Sequence, residues 1–267
     1  MRWGVLGNLA SSGFLQLSMV VAAASDTPER AGYYAVALSL ATPASLFARS
    51  LSMVLFPAMA EAVGRGDLAQ LRQQADLATR TLVTTMVPLF GVLALAAGPL
   101  VGLLFGSDFA EAAPLLVLLL VAGLLMSVSV AATNSLVSRS LTGQRVSVLS
   151  STAGAVVGVL AWVALVPPLG VAGVAIGYLV GAVVIGCAPL GFAWSWDRHA
   201  WAGVVLRLVA GVGAIGGAVY VQYTVAGGLG ADAAVVAGFL VLWLLLSGRE
   251  SVAAVRLVRR AFTRPRR

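Results

Sequence analysis

The sequence contains no lysine, one cysteine and one histidine, and only 10% of its 267 residues are charged. Without lysine there is no glycine-rich phosphate loop ending in Lys-Ser or Lys-Thr, which excludes nucleotide hydrolysis by the usual route. The single cysteine, Cys187, sits in an apolar run, so neither a disulfide framework nor a thiol metal site is available, and packing is its expected role. The single histidine, His199, has only Asp197 near it in sequence. That leaves no metal-ligand cluster and no Ser-His-acid arrangement, and a solvated loop residue is expected there. No catalytic function, cofactor or metal is therefore expected. What the chain has in abundance is apolar residues, 60% of the total, with a mean hydropathy of +0.98. Soluble domains carry about 25% charged residues, so this composition specifies an all-α integral membrane protein.

All 17 basic residues are arginine, and their placement is ordered. Fifteen fall on alternate connections between apolar stretches: Arg2; Arg65, Arg72 and Arg80; Arg139 and Arg145; Arg198 and Arg207; and seven between Arg249 and Arg267. The intervening connections hold only Arg30. Short cytoplasmic loops carry excess Lys and Arg, so both termini are expected to face the cytoplasm. The net charge of +7 is concentrated in the last residues, beside a span, which favours anchoring to anionic headgroups over nucleic-acid binding.

A helix needs about 20 apolar residues to cross the hydrocarbon core. On that scale the sequence predicts eight spans, at approximately 3–24, 33–58, 82–105, 113–137, 146–166, 170–193, 202–224 and 232–248. Residues 1–248 would form the bundle and 249–267 a basic cytoplasmic tail. The first apolar run imitates a secretory signal, but it exceeds the roughly 7–15 residues of a signal core and carries polar side chains, so an uncleaved span is expected. Tryptophans and tyrosines near span ends, among them Trp194, Trp196 and Trp201, fit interfacial belts. In the longest inner connection Asp67 and Gln70 are spaced as a capping box, with Leu68, Leu71, Ala75 and Ala78 at helical spacing. A short helix near 67–80, lying on the cytoplasmic membrane surface, is the expectation. Glycines four residues apart, such as Gly154 with Gly158 and Gly173 with Gly177 and Gly181, predict closely packed helices.

All ten acidic residues map to loops or span ends. Cation-coupled transporters usually keep a carboxylate inside the bundle, so ion coupling is disfavoured. Arg49 is the one arginine that lies deep within a span and away from the arginine-bearing connections. Two readings stand side by side: its long side chain snorkels to the inner headgroups, or it faces a cavity and receives an anionic group such as a phosphate. Gln16, Asn8 and Asn134 are the polar span residues that could line such a cavity, although hydrogen bonds between helices are the commoner use.

Four short motifs occur in the order seen in polysaccharide flippases. They are Arg30-Ala31-Gly32-Tyr33-Tyr34-Ala35-Val36-Ala37, Leu55-Phe56-Pro57, Leu104-Phe105-Gly106-Ser107-Asp108-Phe109, and Pro168-Leu169-Gly170-Val171-Ala172-Gly173-Val174-Ala175. The chain thus resembles the multidrug, oligosaccharidyl-lipid and polysaccharide exporter superfamily, which includes O-antigen-type and lipid II flippases. Members have two pseudo-symmetric lobes around a central cavity, and this chain resembles the second lobe with two added C-terminal spans. The resemblance implies flipping of a lipid-linked oligosaccharide or polysaccharide precursor across the cytoplasmic membrane, by rocking of two lobes. It implies as partners membrane lipid, a polyprenyl-linked glycan, and a missing N-terminal lobe, separate half-transporter or second copy. Substrate would meet Arg49, by analogy with cavity arginines around the carrier pyrophosphate, with Gln16 and Asn134 contacting polar groups. A truncated or non-transporting scaffold, and a cation-coupled drug exporter of the same superfamily, are the rival expectations.

Overall fold

A computed structural model describes the backbone of residues 2–225 and 228–263, and the side chains of residues 13–44, 46, 50, 53, 55–224, 228 and 230–248. Every regular element among them is helical: α1 (Arg2–Ser25), α2 (Pro28–Gly64), α3 (Leu68–Leu95), α4 (Ala97–Phe105), a short 3-10 turn (Ser107–Phe109), α5 (Ala112–Arg139), α6 (Leu141–Leu169), α7 (Val171–Asp197), α8 (Ala202–Val225) and α9 (Leu229–Thr263). Among the described residues six helices are long and apolar enough to cross a membrane: α3, α5, α6, α7, residues Ala202–Thr224 of α8 and Gly230–Gly248 of α9. The described parts of α1 and α2 contribute the shorter apolar segments Gly13–Ser25 and Leu55–Gly64. Residues 249–267, where a basic tail is expected, lie outside the described side chains.

The segment around 67–80 is not a separate helix, because α3 runs unbroken from Leu68 to Leu95. Asp67 caps it by accepting from the Gln70 amide at 2.8 Å. Gln70 does not return the bond of a capping box; its side chain accepts from Arg65 at 3.0 Å. The apolar stripe Leu71, Ala75, Ala78 and Leu82 explains the continuity. Leu71 and Ala75 bury against Met59 and Ala62 of α2, and Ala78 and Leu82 against Ala131 of α5. The stripe faces protein on both sides of residue 80, so nothing in the packing requires a break there. The helix instead ends at Ala96, where α4 begins. Likewise α2 passes through Pro43 and Pro57 to Gly64, rather than stopping near residue 58. Proline removes one helical hydrogen bond, but in an apolar setting the remaining backbone groups are best satisfied by continuing the helix.

Packing is tightest between α6 and α7, joined by Gly170 at φ +55. A Cβ on Gly154 would come within 2.8 Å of the Gly181 carbonyl oxygen, so side chains larger than hydrogen would push the helices apart. Phe14 of α1 enters the same seam and stacks between Trp162 at 4.9 Å and Tyr178 at 5.1 Å. The Trp162 indole N–H donates to the Val174 carbonyl at 2.9 Å, joining α6 to α7. On the other side, α2 packs on α5, and α5 also packs on α3 and α7. Helices α8 and α9 dock on α3. Gln222 of α8 fastens one end of that joint, donating to the Leu95 carbonyl at 3.0 Å and to Asp232 at 2.9 Å. The i+4 position for that carbonyl is Pro99, which has no N–H to donate.

Candidate functional site

Helical rise places the expected site residues. At 1.5 Å per residue, Arg49 and Asn134 lie roughly 30 Å from the first residues of α2 and α5, while Gln16 lies about 14 Å from the end of α1. Helices α2 and α5 pack directly together. Asn134 is buried at 8% exposure, and Gln16 is exposed. The side chains of Arg49 and Asn8 lie outside the described residues.

Around these positions α1 and α2 present an open face. Gln16, Leu17 and Val20 of α1 and Thr42, Leu46, Ser50, Met53 and Phe56 of α2 are all exposed. A lipid-facing surface of a bundle is close to uniformly apolar. This one mixes hydroxyl and amide groups with large apolar side chains, as the wall of an amphipathic cavity would.

Two clefts open at the other end. One of about 330 Å³ is lined by Asp26, Arg30, Tyr33 and Glu111 over an apolar floor that includes Leu115 and Val171. Asp26 ties the α1–α2 turn to the α6–α7 turn, accepting from the amides of Thr27 at 2.8 Å and Val171 at 3.3 Å, with Arg30 3.5 Å away. The Thr27 amide bond is the largest influence holding its carboxyl below the usual carboxylate range. The other cleft, about 220 Å³, lies at the α3–α4 break beside Gln222 and Asp232. Among the described residues no group of His, Cys, Asp and Glu is arranged to hold a metal ion.

Of the densest polar constellation, only the pairing of Asp76 with Arg80 one turn apart was expected from sequence. At the end of α7 the Asp197 carboxylate, 2% exposed, accepts from Arg72 Nε at 2.9 Å and Arg139 Nη1 at 2.7 Å, both at Oδ1. Four residues further along α3, Asp76 accepts from the Trp201 indole N–H at 2.8 Å and from Arg80 Nε at 2.9 Å. Arg80 also donates to the Ala200 carbonyl at 3.2 Å. The α7–α8 turn is thereby clamped onto one face of α3 and onto α5. His199, expected as a solvated loop residue, is packed instead: its side chain is 7% exposed and its ring stacks on Trp201 at 4.3 Å. Burial lowers its pKa against the opposing pull of Asp197 and Asp76, so the neutral form is favoured. Trp201, expected in an interfacial belt, is 1% exposed because its N–H is committed to Asp76. The spacing Arg72, Asp76, Arg80 places these groups on one face of a helix and is the signal that could have disclosed the clamp.

No curated protein and no solved structure matches this chain. A family model described as "Lipid II flippase MurJ" matches residues 1–251.

Proposed function

Because the chain belongs to the lipid II flippase MurJ family, a family of multi-pass membrane transporters for lipid-linked precursors, we propose that it carries a lipid-linked oligosaccharide precursor from the inner to the outer leaflet, as one lobe of a two-lobed transporter. The match over residues 1–251 carries this reading. The open, mixed face of α1 and α2 supports it, since repeat-built transporters bind substrate where their repeats meet. In this reading a second lobe, from another chain, another copy or a preceding segment, covers that face. The sugar and phosphates occupy the polar cavity, and the lipid tail stays among apolar helices. No bond is made or broken. Arg49 attracts the phosphates, and Gln16 and Asn134 contact polar groups. The direct test is outward movement of a lipid-linked glycan in vesicles holding the complete transporter. Vesicles that show no movement above protein-free controls would refute the function.

The proposed topology has eight spans: α1, α2, α3 with α4, and α5 through α9. Both termini are cytoplasmic because the arginines crowd alternate connections. On that topology Asp108 lies outside and Gln144 inside. In a Cys187→Ser background, Asp108→Cys should react with an impermeant maleimide added to intact cells, and Gln144→Cys only after lysis. The reverse labelling would overturn the orientation.

A further inference from the structure

Two guanidinium groups repel unless something holds them together. Here the holder is Asp197, whose single Oδ1 accepts from both Arg72 and Arg139. One carboxylate offsets one of the two cations, and the next residue, Arg198, adds another on the exposed side, at φ +51. Asp76, the other carboxylate of the clamp, is already engaged by Arg80 and Trp201. Arg139 is 12% exposed and lies over the Trp196 ring, with its guanidinium carbon 5.5 Å from the ring centroid. Arg72 is 49% exposed and gives only its Nε–H to Asp197, so among the described residues its Nη donors have no protein acceptor. A planar guanidinium with unused donors, fixed beside a second one, is preorganised for the oxygens of a phosphate.

The surroundings identify the molecule that carries the phosphate. Trp194 and Trp196 are exposed on the last turn of α7, the position of residues that settle at headgroup depth. Phe192, one turn before Trp196, is 49% exposed and continues the same face as an apolar track. A phosphate at the arginine pair would therefore have room for acyl chains along α7. With Asp76 and Asp197 engaged, no free acidic group among the described residues of this junction is placed to receive a headgroup ammonium, which favours a lipid of net negative charge. The geometry points to a binding site for an anionic phospholipid at the junction of α3, α5 and α7. Its phosphate sits on Arg72 and Arg139, which Asp197 positions, and its chains pass over Trp196 and Phe192. On the topology proposed above, which the labelling experiment tests independently, this end of α7 faces the inner leaflet; the site itself does not rest on that orientation.

The test uses the purified full chain in detergent with equal amounts of phosphatidylglycerol and phosphatidylcholine. Native mass spectrometry should show phosphatidylglycerol retained in preference. Arg72→Gln should reduce that retention about fivefold, the effect of one basic residue near an anionic lipid surface, and Arg72→Lys should reduce it less. Arg30→Gln, at the opposite end, should leave it unchanged. As a second readout on the unaltered arginines, brominated phosphatidylglycerol should quench tryptophan emission more than brominated phosphatidylcholine, and Trp196→Phe should abolish the difference. Equal retention by Arg72→Gln, an equal loss in Arg30→Gln, or displacement of the lipid by millimolar glycerol phosphate would each overturn the site.

Discussion

Replacing Asp197 with asparagine should remove about 3 kcal/mol of stability, because it leaves the buried charge of Arg139 without its counter-ion. The carboxylate is 2% exposed and Arg139 12%, so water can do little to restore what is lost. Arg72 is half exposed and can return to solvent, so Arg72→Gln should lose well under half as much. The exposed Arg65–Glu61 pair, with side chains 54% and 67% exposed, provides the comparison: Arg65→Gln should change stability by less than about 1 kcal/mol. Reversible unfolding by titration with a denaturing detergent in mixed micelles measures all three. If Asp197→Asn is no more damaging than Arg65→Gln, the clamp does not hold the α7–α8 turn to α3 and α5. The expected loss also has a structural location. Asp197 belongs to α7, and its two arginines to α3 and α5, so its removal should loosen three helices at one end while the Gln222 joint at the other end persists.

The helical membrane architecture was legible because it follows from one-dimensional quantities: apolar length and the alternation of arginines along the chain. The glycine seam was legible for the same reason. Gly154 and Gly181 approach through spacing that the sequence displays, although only the structure identifies Phe14 as the side chain that enters the seam. The stripe Leu71, Ala75, Ala78 and Leu82 shows where such reading stops. An amphipathic face has the same periodicity whether it meets lipid headgroups or another helix, and here it meets α2 and α5. The ionic clamp was illegible in a stronger sense. Asp197 joins Arg72 across 125 positions and Arg139 across 58, and Trp201 joins Asp76 across 125. Each of these residues taken alone looks like an ordinary span-end charge or interfacial aromatic. Only α3 revealed part of the pattern, through the four-residue steps from Arg72 to Arg80. For the proposed transport site, the sequence marked Arg49 by its cost in an apolar segment, and the structure adds that Asn134 is buried while Gln16 is exposed.

Arg49→Ala should slow outward movement of lipid-linked glycan by about tenfold to a hundredfold, the range set by losing hydrogen bonds of about 1.5–3 kcal/mol to a charged group. An arginine in a span is retained against a desolvation cost, and a diphosphate is the ligand whose charge and geometry offset it best. Arg49→Lys keeps the charge but not the planar fork, so it should recover part of the rate. Gln16→Ala, at an exposed position, should reduce the rate only a few-fold. The measurement is initial transport rate in proteoliposomes of the complete transporter, with unfolding midpoints recorded to show that each variant is folded. A snorkelling role predicts the opposite order of effects: the lysine variant would match the wild type, and the alanine variant would lose stability and not rate. A stably folded Arg49→Ala variant with normal transport would remove this residue from the cavity and leave the arginine as a membrane anchor.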